Sequence, residues 1–174
     1  MDLRNNSGGL VSSGIAVADS LLSEKPVVET KNRNGIKDAI ISQKETSFDG
    51  PMVTLVNKGT ASASEILAGS LQDNERSILM GEKTYGKGLI QSLKSLGEDS
   101  GIAITVASYL TPKGNNIQGQ GIKPDKLLDL PDSSEYGSAE DKWVRNAELF
   151  LESLLEKEKL PFQASELSNE EIKP

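Results

Sequence analysis

Two short apolar segments separated by one helical segment, all within residues 52–81, constrain the fold more than any other feature of the chain. Residues 52–56 form a nearly continuous apolar run of strand length, and residues 77–81 form a second run. Such runs are typical of strands that are covered on both faces. Between them, over about residues 63–74, apolar side chains recur at helical spacing. Strands and helices that alternate in this way predict an α/β fold of layered sheets and helices, although the strand order is not evident.

The remaining apolar patterns predict two more helices and four more strands. The predicted helices cover residues 10–22 and 138–159, and the predicted strands cover residues 27–30, 36–42, 88–96 and 101–110. The turn dipeptide Asn34-Gly35 favours a hairpin between the first two of these strands. We expect a core over residues 1–130, a C-terminal helix within residues 131–160 that packs on it, and a polar tail over residues 161–174.

Length and charge limit the possible partners of the chain. Its 174 residues are enough for one domain with a hydrophobic core. The formal net charge of −7 argues against nucleic acid or an anionic membrane as the main partner. No signal peptide or transmembrane run is evident. Asp2 follows Met1 without a lead-in strand, so we expect this chain to be part of a longer one, with any targeting segment upstream.

Histidine and cysteine are both absent, which narrows the chemistry of any active site. Their absence excludes disulfides, thiolate metal sites and imidazole bases. A nucleophilic serine would then need a different base. Lysine is the natural partner, because a lysine that is kept neutral in a dry pocket can accept a hydroxyl proton.

Ser62 and Ser64 lie in a turn of small residues where the central helix is predicted to begin. Ser62 and Glu65 match a capping box, in which the serine hydroxyl caps the helix and the glutamate reaches back. Alternatively, Ser62 Oγ is a nucleophile at a helix N-terminus, where backbone N–H groups and the helix dipole favour a developing oxyanion. Both interpretations require the same residues, and Ser64 is a second candidate nucleophile.

Lys87 is the candidate base, since it lies between two glycines and beside aromatic and aliphatic residues. Surroundings without water or an acidic partner would favour the neutral amine that a general base needs. If the strand is extended, Lys87 and Gln91 project from the same face, and Gln91 could direct the amine towards the serine. The alternative is an ordinary surface lysine at the end of a strand.

Two further sets of residues belong to the candidate site. Gly8-Gly9 allow a sharp turn and can present bare N–H groups to a ligand, although an ordinary strand-to-helix loop has the same sequence features. Glu65 and Asp73 are the nearest acidic residues, and capping or salt bridging is the expected role of each. Residues 82–84 are expected to shape the turn before Lys87.

Three motifs, in this order, resemble the C-terminal processing peptidases, which are tail-specific Ser/Lys endopeptidases of bacteria and chloroplasts. The motifs are Asp2-Leu3-Arg4-Asn5-Asn6-x-Gly8-Gly9, Gly59-Thr60-Ala61-Ser62-Ala63-Ser64-Glu65-Ile66 and Gly81-Glu82-Lys83-Thr84-Tyr85-Gly86-Lys87-Gly88. Tyr109-x-Thr111-Pro112 and Gly121-Ile122-x-Pro124-Asp125 resemble the segment that follows in the family. The resemblance covers about residues 2–130. It implies a crotonase-like/ClpP-like spiral of ββα units.

The resemblance also implies a role for each candidate residue. It implies Ser62 rather than Ser64 as the nucleophile, Lys87 as the general base and Gln91 as a support for the lysine. The family's oxyanion hole and supporting positions map to the backbone N–H groups of Gly8 and Ala63 and to the side chains of Glu65, Asp73 and Thr84. No metal or organic cofactor is implied.

The function implied by the resemblance is a serine endopeptidase that cleaves polypeptides near their C-termini through an acyl-enzyme. The cyanobacterial and plastid members suggest a photosystem II reaction-centre precursor as one substrate. The implied location is an exported compartment, namely the periplasm, cell envelope or thylakoid lumen. Family members carry an upstream helical region and a PDZ domain that captures the substrate's C-terminus. Neither is recognised in these 174 residues, and the oligomeric state is left open.

Two other functions are compatible with the residues themselves. One is a crotonase-type acyl-CoA lyase or hydrolase, although no basic cluster for the nucleotide phosphates is evident. The other is a non-catalytic binding or scaffolding module whose serine turn only caps a helix. Turnover of an acyl-CoA ester would identify the first, and failure to react with a serine-directed probe would identify the second.

Overall fold

The computed structural model describes residues 1–35, 37–129 and 136–159. These residues form three helices and seven strands. In chain order they are α1 (Val11–Asp19), β1 (Pro26–Asn32), β2 (Lys37–Ile41), β3 (Val53–Val56), α2 (Ala63–Asp73), β4 (Ile78–Gly81), β5 (Leu89–Gly97), β6 (Ser100–Leu110), β7 (Lys126–Leu127) and α3 (Lys142–Lys159). Every predicted element is present. The predicted tail over residues 161–174 lies outside the described residues.

A three-stranded sheet in the order β3-β4-β7 forms the centre of the fold. β3 and β4 pair in parallel, from Val53 opposite Ile78 to Val56 opposite Gly81. α2 connects them, as parallel neighbours require. The N-terminal segment runs parallel to β3, and the Leu3 N–H donates to the Leu55 carbonyl at 2.9 Å. The segments that follow Leu3, β3 and β4 therefore leave the sheet at the same edge.

A second sheet is antiparallel, in the order β2-β1-β6-β5. Gly97 pairs with Ser100, so the turn between β5 and β6 is shorter than the predicted loop over residues 97–101. β5 lies at the edge of this sheet, and most of its residues are exposed. β7 was not predicted, because two residues are too few to show a period.

Both faces of β3 are covered, as its apolar run predicts. On one side, Val56 belongs to a buried cluster that includes Leu67 and Leu71 of α2. On the other side, Val53 packs in a cluster with Trp143 of α3. α3 begins at residue 142 rather than 138, because the preceding residues form a turn. No described helix is both long and apolar enough to cross a membrane.

Candidate active site

The chain after β3 forms the nucleophile loop, residues 57–62, and α2 begins directly after it. Ser62 has φ 58° and ψ −122°, a conformation that non-glycine residues rarely adopt. Nucleophilic serines at strand-to-helix turns are held in strained conformations of this kind, because a sharp turn exposes Oγ. Ala61 and Ala63 beside it are small and buried. Ser64 does not have this backbone conformation and lies in the first turn of α2 with 5% of its surface exposed.

Of the capping box predicted around Ser62, the half that Glu65 provides is formed as a hydrogen bond. The Ser62 N–H donates to Glu65 Oε2 at 3.0 Å. Ser62 Oγ makes no side-chain cap hydrogen bond, and the residue is half-buried. The capping and nucleophile interpretations are therefore compatible, because the glutamate holds the backbone while the hydroxyl stays accessible.

Glu65 is fully buried, and its carboxylate joins the two candidate catalytic segments. Oε2 accepts the N–H of Ser62 at 3.0 Å and the N–H of Lys87 at 2.8 Å. Oε1 accepts the N–H of Gly86 at 2.7 Å and the hydroxyl of Thr84 at 2.5 Å. A buried carboxylate needs such donors to compensate for lost hydration. Glu65 thereby sets the spacing between the backbones of the candidate nucleophile and base.

Close backbone packing explains why two glycines flank Lys87. A Cβ on Gly86 would lie 2.8 Å from the Gly121 nitrogen, and one on Gly88 would lie 2.8 Å from the Gln118 nitrogen. Gln118 Oε1 also accepts the Gly88 N–H at 2.9 Å. The loop over residues 117–121 thus presses against the Lys87 backbone and fixes it at the start of β5.

The predicted burial of Lys87 is wrong for this structure, in which the side chain is exposed. Its neighbours Tyr85 and Leu89 are themselves 67% and 37% exposed, so they cannot exclude water. The reason is the position of β5 at the sheet edge, where no described strand lies beyond it. Gln91 is exposed as well, and among the described residues it makes no hydrogen bond to Lys87. Its predicted support for the amine is not seen.

Gly8 lies against Ser62 and Ala63, which is the position that the proposed oxyanion hole requires. Its φ is +92°, and a Cβ on it would lie 2.9 Å from both the Ala63 nitrogen and Ser62 Cβ. The Ala63 N–H, at the start of α2, has no hydrogen-bond partner among the described residues. The Gly8 N–H donates to Asn6 Oδ1 at 3.0 Å. An incoming oxygen must therefore compete with Asn6 for this donor.

Three polar residues that the sequence interpretation did not single out tie the glycine loop, residues 5–9, to the nucleophile loop. Asn57 Oδ1 accepts the Asn5 N–H at 2.9 Å, and Asn57 Nδ2 donates to Asn5 Oδ1 at 3.1 Å. The buried Thr60 hydroxyl donates to the Leu3 carbonyl at 2.7 Å and accepts the Asn57 N–H at 3.0 Å. Asn and Thr residues close to a turn glycine could have indicated these contacts in the sequence, because such side chains often form hydrogen bonds with nearby backbone groups.

Comparison with known proteins identifies the family. Residues 1–128 match peptidase family S41. The chain belongs to this family. All the candidate site residues of the S41 chain, from Gly8 to Gln91, lie within the matched residues, whereas α3 lies outside them.

Relatives of this S41 chain are carboxyl-terminal-processing proteases. The protease of Synechocystis sp. is 53% identical over 131 residues, which cover 75% of this chain and 31% of the relative. The chloroplastic C-terminal processing peptidase of Tetradesmus obliquus is 48% identical over 131 residues, which cover 74% of this chain and 28% of the relative. The S41 chain thus spans 31% and 28% of the lengths of these two relatives.

Solved structures of S41 peptidases have the same fold. The photosystem II D1 C-terminal processing protease superposes with a TM-score of 0.67 at 45% identity, over 74% of this chain and 33% of that one. An S41 protease of Bacteroides fragilis superposes with a TM-score of 0.68 over 88% of this chain and 44% of that one. Its 16% identity shows a likeness of fold alone. The crotonase-like/ClpP-like fold of ββα units, implied by the resemblance, is confirmed.

The two other supporting positions of the S41 chain lie in different places. Thr84 is buried under the site, where its hydroxyl also accepts the Ile122 N–H at 2.7 Å. Asp73 is the last residue of α2, about 15 Å along the helix axis from its first residue, Ala63, at a rise of 1.5 Å per residue. There it accepts the Lys113 N–H at 2.8 Å. Asp73 therefore stabilises the loop after β6, and the structure does not bring it to the site.

An apolar cavity of about 350 Å³ opens beside Gly8 and Ala63. Leu10 and Val17 line it from the α1 side, and Leu67 lines it from α2. Because both candidate oxyanion donors border the cavity, it can hold the apolar side chain of a molecule whose carbonyl oxygen is bound between them. The described residues contain no group of three or more acidic side chains that could hold a metal ion.

Proposed function

We propose that this chain carries the catalytic centre of a serine endopeptidase that cleaves polypeptides near their C-termini. The carboxylate of Glu65 is the observation that carries the proposal. One of its oxygens bonds to the backbone N–H groups of both Ser62 and Lys87, at 3.0 and 2.8 Å. A serine that only caps a helix has no need of the second bond. A nucleophile and its base, in contrast, must be held at one spacing.

In the proposed reaction, neutral Lys87 takes the proton of Ser62 Oγ as this oxygen attacks the scissile carbonyl carbon. The carbonyl oxygen becomes negative, and the N–H groups of Ala63 and Gly8 stabilise it. Lys87 then gives its proton to the leaving amine as the C–N bond breaks, which leaves an ester on Ser62. Water loses a proton to Lys87 and attacks this ester, and the proton returns to Ser62 Oγ.

Two changes accompany substrate binding in this mechanism. Lys87 has to be covered so that its amine becomes neutral, and Asn6 has to release the Gly8 N–H. A polypeptide that lies across the site accounts for both. Its bulk removes water from around Lys87, and its carbonyl oxygen, once negative, is a stronger acceptor than the neutral amide of Asn6.

The cavity beside Gly8 supports a substrate with an apolar residue on the acyl side of the cleaved bond. Relatives are named for C-terminal processing, and one solved relative is named for the photosystem II D1 protein. We propose the C-terminal region of a polypeptide as the substrate class, with a photosystem II reaction-centre precursor as one substrate to test. We also propose that a PDZ domain holds the substrate's C-terminus, as the family resemblance implies. Chloroplastic relatives support an exported compartment.

The proposal is tested with the full-length enzyme that contains this chain and a peptide with an apolar C-terminal tail. Ser62→Ala and Lys87→Ala should each lower kcat by about 10⁴-fold or more without changing the unfolding temperature. Lys94→Ala, at an exposed lysine of β5, is the matched control and should retain turnover. Ser64→Ala should keep measurable turnover if Ser62 is the nucleophile.

Cleavage by the Ser62→Ala or Lys87→Ala enzyme at the wild-type rate would refute the proposal. Covalent labelling offers a second measurement that does not require knowledge of the substrate. A serine-directed probe should form an adduct with the wild-type enzyme and with Ser64→Ala, but not with Ser62→Ala. An adduct at Ser64 alone would show that Ser64, and not Ser62, is the nucleophile.

A further inference from the structure

Arg4 places a buried guanidinium group between the glycine loop and the start of α3. Its side chain is 2% exposed and donates to the two oxygens of Asp141 at 3.0 and 2.5 Å. It also bonds to Asp2, with a shortest distance of 2.6 Å. The rings of Tyr136 and Trp143 lie 4.8 and 5.6 Å from its central carbon. A two-pronged contact between planar groups fixes both the place and the direction of the guanidinium.

The two carboxylates differ in exposure, and Asp141 is the dry partner. The Asp2 side chain is 45% exposed, whereas that of Asp141 is 1% exposed. A buried cation depends most on a partner that is equally removed from water. The hydrogen bond from Arg4 holds the pKa of Asp141 well below its ordinary range. Burial opposes the charge of Arg4, but hydrogen bonds to Asp2 and Asp141 outweigh it and raise the pKa of the guanidinium.

Asp141 also caps α3. Its side chain accepts the N–H groups of Gly137, Trp143 and Val144, at 2.8, 3.1 and 3.3 Å. A carboxylate is favourable here because it satisfies free N–H groups and lies at the positive end of the helix dipole. Trp143 is 1% exposed and packs on β3 and β4. The carboxylate of Asp141 therefore caps α3, which is packed on the central sheet through Trp143, and also forms the ion pair with Arg4.

The residues on either side of Arg4 form hydrogen bonds with the nucleophile loop. The Leu3 carbonyl accepts the Thr60 hydroxyl at 2.7 Å, and the Asn5 N–H donates to Asn57 Oδ1 at 2.9 Å. One residue further on, the Asn6 carbonyl accepts the Ala61 N–H at 3.0 Å. The glycine loop is thus held by the nucleophile loop on one side and by α3, through Arg4, on the other.

We propose that Asp141 is a positioning residue for the candidate oxyanion hole. Through Arg4 it fixes the glycine loop so that Gly8 stays against the turn formed by Ser62 and Ala63. The inference rests on the proposed peptidase function of that site. Asp141 lies outside the residues that match family S41, so this contact reaches the site from outside the matched segment. The competing explanation is a structural tie that adds stability and leaves the site unaffected.

The variant Asp141→Asn separates the two explanations. Asparagine caps helices as well as aspartate does, so α3 keeps its start, while the contact with Arg4 loses its charge and one acceptor oxygen. Glu29→Gln is the matched control, because it removes the charge from an exposed pair with Lys37, at 3.2 Å on the antiparallel sheet. Arg4→Lys is the second variant, since lysine keeps the positive charge but cannot make the two parallel hydrogen bonds that the guanidinium donates to Asp141.

The readout is the set of glycine amide signals in NMR spectra of the full-length protein labelled with ¹⁵N-glycine. In Asp141→Asn we expect displaced Gly8 and Gly9 signals with faster solvent exchange, and unchanged signals from Gly97 and Gly101 of the β5–β6 hairpin. Glu29→Gln should show no change. In the peptide assay, Asp141→Asn should lower kcat by about 10- to 100-fold at unchanged KM.

Wild-type Gly8 and Gly9 signals in Asp141→Asn, with only a lower unfolding temperature, would overturn the inference. If Asp141→Asn does not fold, Arg4→Lys is judged by the same signals and the same kcat. A wild-type enzyme without peptidase activity would contradict the proposed function instead. The amide comparison would still decide whether Asp141 positions the glycine loop.

Discussion

Replacing Glu65 with glutamine changes one atom of a fully buried side chain, and its consequences can be worked out from the contacts. An ionised carboxylate only accepts hydrogen bonds, whereas an amide carries one acceptor oxygen and one NH₂ donor. If the NH₂ takes the place of Oε2, it faces the N–H groups of Ser62 and Lys87. If it takes the place of Oε1, it faces the Gly86 N–H and the Thr84 hydroxyl. Two contacts are disturbed in either orientation.

The size of the effect follows from these contacts. A buried donor that is left without an acceptor costs about 1–3 kcal/mol, so two disturbed contacts lower the free energy of unfolding by about 2–6 kcal/mol. Domains are commonly stable by about 5–15 kcal/mol, so the Glu65→Gln protein should fold but unfold at lower denaturant. The spacing between Ser62 and Lys87 also loses its bridge. A displacement of about 1 Å is enough to lower kcat/KM by about 100-fold.

Urea unfolding and peptide hydrolysis measure the two effects separately. The chain has one tryptophan, Trp143, which is buried and reports unfolding by its fluorescence. Glu75→Gln, at an exposed glutamate after α2, is the control and should stay within about 0.5 kcal/mol of wild type. A Glu65→Gln enzyme with wild-type stability and wild-type kcat/KM would show that the bridge has no role in the site.

Three further predictions concern the glycine loop, the cavity and the ion pair. Gly8→Ala should abolish peptide hydrolysis, since its Cβ would lie 2.9 Å from the Ala63 nitrogen, and an active variant would contradict the oxyanion role. Val17→Phe should raise KM for peptides with a bulky apolar residue at the cleaved bond more than for peptides with alanine there, as a peptide series would show. The hydrogen bond from Arg4 lowers the pKa of Asp141 in the folded protein. The stability that this pair contributes should therefore be complete at pH values above about 3.9, the ordinary pKa of an aspartate, and should be lost as the pH falls towards the pKa of folded Asp141. The difference in unfolding free energy between wild type and Asp141→Asn, measured from about pH 6 to about pH 2, should therefore shrink only below about pH 4, and a constant difference would contradict the shift.

The helices and strands of the core could be predicted because their signals are local. Five apolar residues in a row at 52–56 are enough to indicate a strand covered on both faces, and α2 and β4 follow from their own periods. β7 escaped prediction because its two residues pair only with β4, which lies far away in the chain. The order of the strands was hidden for the same reason, since pairing partners leave little trace in a local pattern.

The site residues divide in a similar way. The motifs and the absence of histidine and cysteine pointed to Ser62, Lys87, Gly8 and Ala63. The structure brings Gly8 against the turn of Ser62 and Ala63 and ties the Lys87 backbone to that turn. Burial of Lys87 was predicted from its neighbours in the chain and was wrong, because solvent exposure depends on what lies beyond the sheet edge. Asp73 was assigned to the site by resemblance, yet the length of α2 places it at the far end of the helix.

The amino-acid sequence by itself determined the α/β class, the central strand–helix–strand unit and the identity of the candidate serine and lysine. These depend on periodicity and residue chemistry within short segments. Only the tertiary structure decided that one Glu65 oxygen accepts the backbone N–H groups of both Ser62 and Lys87, and that Asp141 at the start of the last helix holds Arg4. The physical reason is that a buried charged group must have hydrogen-bond or ion-pair partners. Chain packing supplies these partners from residues that are far apart in the sequence.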